Sequence, residues 1–136
     1  MGTLTHSAYA LRGTTSLPFA EAVALVRKTL KEEGFGVLTE IDVQATLREK
    51  LGEELEPYLI LGACSPPDAH RALRIEPDLG ALLPCNVAVY EQDGETHVSA
   101  VDPVAMLGIV GNADLDPVAA EIRARVERAV EKVWNA

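Results

Sequence analysis

Two short segments hold both cysteines of the chain, Gly62-Ala63-Cys64-Ser65-Pro66-Pro67 and Leu82-Leu83-Pro84-Cys85-Asn86. Cys64 falls where an apolar run ends and a helix is expected to begin. A thiol beside a helix N-terminus has its thiolate favoured by free N–H groups and the macrodipole, which would allow nucleophilic or redox chemistry. The competing reading treats both cysteines as small buried hydrophobes, the usual fate of a free thiol. Pro84 fixes the start of the segment after it, and Asn86 adds an amide that both donates and accepts. His70, on the helix that Ser65 opens, is placed to approach Cys64.

Cys64, Cys85 and His70 are suitable ligand types for zinc, but a fourth ligand and a standard spacing are missing, so no metal is expected. A Cys64–His70–Asp102 nucleophile is a further arrangement that only folding could assemble. There is no Cys-x-x-Cys redox motif. Gly108 and Gly111 belong to no phosphate-binding loop, so no cofactor is expected. The candidate ligand-binding set is therefore Cys64, Ser65, Pro66, His70, Pro84, Cys85 and Asn86, with no catalytic residue assigned.

These residues must be held by regular elements, and the periodicity supplies them. Tyr9 to Thr15 is expected to be a strand, followed by a helix capped by Ser16 with Pro18 in its first turn. Phe19, Val23, Val26 and Leu30 make one apolar stripe at helical spacing, which Gly34 ends. Phe35 to Ile41 alternates as a second strand, and Asp42 caps a short helix, Val43–Leu51, that stops at Gly52. The continuous apolar run Tyr58–Ala63 suits a strand buried on both faces. Ser65, Pro66 and Asp68 form a capping-box pattern that opens the helix running to Leu73.

Asn86–Tyr90 and Thr96–Val101 flank Asp93-Gly94, a two-residue hairpin signal. That loop sets Val89 against Val98 and Val87 against Ala100 on one face, with Tyr90 against His97 on the other. Asp102-Pro103 starts a short helix that stops near Gly111-Asn112. Asp116-Pro117 starts the last one, with Val118, Ile122, Val126, Ala129 and Val133 inward. Arg123, Arg125, Glu127, Arg128, Glu131 and Lys132 are assigned to its outer face. The order β-α-β-α-β-α-β-β-α-α implies an α+β fold, one mainly antiparallel sheet with helices packed on one side.

The 136 residues suit a single domain, 1–136, with positions 1–7 expected to be loose. No apolar run approaches the ~20 residues of a membrane span, and the start lacks a secretory pattern. With two cysteines and no disulfide framework, a cytoplasmic setting is expected. The net charge is −9, and no Lys or Arg lies between Ile75 and Ile122. Nucleic acid and anionic membranes need clustered cations and are excluded as partners. Few Asn and Gln, and more Arg than Lys, lean towards a thermophilic source.

The two cysteine segments, with Thr39-Glu40-Ile41-Asp42 and Asp102-Pro103, resemble the Domain of Unknown Function 302 family over nearly the whole chain. The resemblance implies a single copy of the TATA-binding-protein-like fold, a curved antiparallel sheet with helices on one side, forming a homodimer. It implies no established activity, and relatives often carry Asn where Ser65 stands here. The expectation is a binding module for a small neutral or cationic ligand, or a partner, near the two cysteine motifs. A thiol enzyme using Cys64 is the alternative.

Overall fold

A computed structural model describes residues 5–136. Six antiparallel strands form one sheet: β1 (Thr5–His6), β2 (Ala10–Thr15), β3 (Gly36–Asp42), β4 (Tyr58–Cys64), β5 (Cys85–Gln92) and β6 (Glu95–Val101). Their order across the sheet is β1-β2-β6-β5-β4-β3. The helices are α1 (Phe19–Glu32), α2 (Val43–Leu51), α3 (Pro66–Ile75), α4 (Pro103–Gly108) and α5 (Asp116–Trp134). The expected α+β order is present, with β1 and 3₁₀ turns at Pro77–Ala81 and Ala113–Leu115 in addition. Of the segment expected to be loose, Met1–Leu4 lies outside the described residues, while Thr5 and His6 pair with Arg12 and Leu11.

The hairpin forms in the expected register. Asp93 and Gly94 both take positive φ, 54° and 80°, as a two-residue type I′ turn requires. Val89 then pairs with Val98, Val87 with Ala100, and Tyr90 with His97. Gly34 ends α1 at φ 87°, which lets the Phe35 N–H reach back to the Leu30 carbonyl at 2.9 Å. That turn aims Phe35 into the core.

Leu11, Val87, Val89, Val98 and Ala100 on the sheet and Val26, Leu30, Val126 and Val130 on α1 and α5 are fully buried. The expected inward stripe of α5 is buried throughout. Trp134 closes this core, its indole N–H donating to the Val98 carbonyl at 3.1 Å. The core lies between one face of the sheet and α1 and α5, and α3 and α4 pack against α5 on the same side.

Several local expectations are corrected. Ser16 does not cap α1: Pro18 holds the cap position, and the Ser16 hydroxyl donates to the Ala136 carbonyl. Asp42 and Asp102 do cap α2 and α4 through their side chains, and Asp116 begins α5 as expected, though without a capping bond. β4 is not buried on both faces. Leu59, Leu61 and Ala63 enter the core, while Tyr58 and Ile60 are half-buried on the other face. The alternation of β3 breaks at a bulge between Val37 and Thr39, which leaves Leu38 exposed.

Candidate functional site

The ends of β4 and β5 come together where each strand meets its neighbouring turn. Ala63 pairs with Cys85, Gly62 with Asn86, and Cys64 with Gly36 of β3. Gly62 is obligatory here, because a Cβ would collide with the Thr39 hydroxyl and lie 2.7 Å from Pro84 Cγ. The chain then turns at Ser65 into α3, while Leu83 and a cis-linked Pro84 lead into β5. Between α3 and these strand ends lies a hollow of about 290 Å³.

Cys64, Ser65, Pro84 and Cys85 all line this hollow. Of the other sequence candidates, Pro66 is exposed at the first turn of α3, and His70 is exposed and not among the lining residues. Asn86 contributes to the opposite face of the sheet. Asp68 lines the hollow too, and the rest of the wall is chiefly apolar, with Phe35, Ala69, Met106 and Leu107 among its members. Four of the seven candidates therefore converge, and three do not.

Ser65 and Asp68 do not form the expected capping box. Pro66 and Pro67 occupy the first two helical positions and carry no N–H, so the end of α3 offers few free donors. The Ser65 hydroxyl instead donates to Asp68 Oδ2 at 2.6 Å. Asp68 also pairs with Arg125 of α5, which was assigned to that helix's outer face. Arg125 packs its guanidinium 5.0 Å above the Phe35 ring and donates from Nη1 to the Glu33 carbonyl at 3.0 Å. Its Nε is buried without a partner. A carboxylate that is only 6% exposed needs such a partner, since an isolated buried charge is costly.

The missed residue had a signal. Arg125 stands seven residues after Val118 and four before Ala129, so it shares the helix face of the apolar stripe. A charge on that face needs a buried counter-charge, and Asp68 supplies it.

The electrostatics disfavour thiolate chemistry. Burial pushes the Cys64 thiol above its ordinary range. Cys85 is pushed up to about 11, chiefly by burial and then by the nearby Cys64. The two prolines also remove two of the N–H groups on which the helix-terminus argument for an activated Cys64 relies. His70 is exposed and does not line the hollow, and Asp102 is engaged with Arg123 at 3.3 Å, so the Cys–His–acid arrangement is not assembled. Among the described residues, no group of three His, Cys, Asp or Glu side chains is placed to hold a metal ion. No described helix is long and apolar enough to cross a membrane.

Fold and site together define a small α+β protein with one antiparallel sheet, a helical layer on one side, and an apolar hollow at the strand ends. The family model described as "Domain of unknown function DUF302" matches residues 12–133, and the chain belongs to that family. It is also similar to the crystal structure of an uncharacterized conserved DUF302 protein from Bacillus stearothermophilus. The TM-score is 0.87 at 30% identity, over 93% of this chain and 99% of that one. No functionally curated protein matches the chain.

Proposed function

We propose that this is a binding protein whose hollow, between α3 and the ends of β4 and β5, takes a small, neutral, mainly apolar molecule without chemical turnover. The observation that carries this reading is the hollow itself. It is about 290 Å³, close to the lower end of ligand pockets, with an apolar wall and few polar groups. Asp68 is already neutralised by Arg125 and bonded by Ser65, so it presents little uncompensated charge to a ligand. The two thiols, both disfavoured as thiolates, act as polarisable wall atoms suited to apolar surfaces.

The homodimer implied by the family resemblance belongs to the same proposal. It is supported by the β3–α2 arm at one edge of the sheet. No residue of α2 is buried, and Leu38, Ile41, Leu51 and Leu55 of this arm are exposed. A helix of nine residues that buries nothing gains little from its own hydrogen bonds and calls for packing elsewhere.

N-phenyl-1-naphthylamine, a neutral apolar dye, tests the hollow. Its fluorescence should rise with the native protein and fall back with Ala69→Phe, which fills the space from α3. Equal enhancement by both proteins, with the variant folded, would reject the site. A sedimentation mass equal to one 14.6 kDa chain would reject the dimer alone.

A further inference from the structure

The sheet face turned away from α1 and α5 carries a second constellation. Register places its residues in rows. Tyr58 pairs with Tyr90, which pairs with His97. One step along, Ile60 pairs with Ala88, Ala88 with Ser99, and Ser99 with Arg12. The aromatic row is stacked: Tyr58 and Tyr90 centroids are 5.0 Å apart at 12°, and Tyr90 and His97 are 4.8 Å apart at 3°. The ring faces thus occupy one another, leaving edges and hydroxyls to project.

The next row is low because Ala88 and Ser99 are small. A hollow of about 360 Å³ results, with Ile60 and Ala88 in its apolar lining and Arg12 on its other side. All three tyrosines of the chain line it, since Tyr9 joins Tyr58 and Tyr90. Burial, and then the nearby Tyr90 and Tyr9 phenols, push the Tyr58 hydroxyl above its ordinary range, so it stays protonated and able to donate.

The Arg12 side chain has no hydrogen-bond or ion-pair partner among the described residues, although the chain has nine more acids than bases. Among the described residues it is the only charged one lining this hollow. One guanidinium, phenolic donors, the Asn86 amide and the Ser99 hydroxyl suit a single carboxylate. The apolar lining and ring edges suit a flat ring attached to that carboxylate. A nucleic acid, with a charge on every nucleotide, would meet one cation only.

We propose that this open sheet face is a second binding site, for a small aromatic carboxylate, with Arg12 as its anchor. The site is independent of the hollow beneath α3, which lies at the strand ends among different residues.

Benzoate is the probe, and benzamide its uncharged counterpart. Benzoate should shift the backbone amide resonances of Ala88, Ser99 and Val101 with a Kd below about 1 mM. Benzamide and the Arg12→Gln variant should each weaken binding by ~10-fold or more, the usual effect of losing a charged hydrogen-bond partner. Arg12→Lys should recover part of the loss. Arg12 is exposed, so these variants are expected to fold, and a native amide spectrum checks it. Equal affinity for benzoate and benzamide, or shifts untouched by Arg12→Gln, would overturn the proposal. So would an absence of shifts together with conversion of a dimer to a monomer by Arg12→Gln, which would make this face a subunit interface.

Discussion

The two hollows lie on one sheet yet treat charge in opposite ways. Under α3, Asp68 and Arg125 are held together and largely removed from water, so their charges cancel and the wall is apolar. On the opposite face, the Arg12 side chain has no ion-pair partner among the described residues and lines a hollow together with three tyrosines. The difference follows from burial. A buried ion must find its partner within the fold, whereas an exposed guanidinium is solvated and can remain unpaired at small cost. A hollow walled by apolar side chains and a cancelled ion pair thus selects by shape and apolarity, and one lined by a solvated cation selects by charge.

The largest test of this contrast removes half of the buried pair. Arg125→Met should lower stability by about 3–5 kcal/mol, because it strands the Asp68 carboxylate. Adding Asp68→Asn should cost much less than the two single losses combined, as coupled partners require. Urea unfolding measures both. Arg12→Gln on the open face should change stability by less than about 0.5 kcal/mol, as for exposed sites without special contacts. Similar losses at both arginines would erase the distinction.

A smaller effect comes from alkaline pH. Cys85 has its folded pKa raised to about 11, so between the ordinary thiol range and 11 the folded state binds more proton than the unfolded one. Stability should therefore fall as pH rises through that window, by about 2–3 kcal/mol from this group. Cys85→Ala should flatten that part of the profile relative to the parent, measured by thermal unfolding from pH 8 to 11. An unchanged slope would show that Cys85 is not shielded.

The smallest effect concerns labelling. Cys64 is partly exposed but has a raised pKa, so native iodoacetamide modification should be slower than in the unfolded chain at neutral pH. Faster native labelling would revive the thiol-enzyme reading.

Much of this architecture was legible in the residues, for reasons that can be named. Asp93-Gly94 dictates the hairpin because both positions need positive φ, and the register then follows without further information. The α5 stripe was equally plain, since five apolar positions at helical spacing leave one face to bury. The site was half legible. Cys64, Ser65, Pro84 and Cys85 meet because their strands pair, but nothing local revealed that α3 turns His70 outward. Asn86 went to the far face through the simple alternation of β5, which would have separated it from Cys85. Hydroxyl partners were the least accessible part. Ser16 and Ser65 both carry capping potential, yet each found a different acceptor, one of them 120 residues away in sequence. The Leu38 bulge has no signature in an alternating run.

Native mass spectrometry of the protein taken directly from its own cells, compared with Ala69→Phe produced in the same way, bears most directly on the hollow beneath α3. A small neutral adduct should accompany the parent chain and be missing from the folded variant. Spectra with the same adduct on both proteins, or with none on either, would contradict a role for that hollow in holding a ligand.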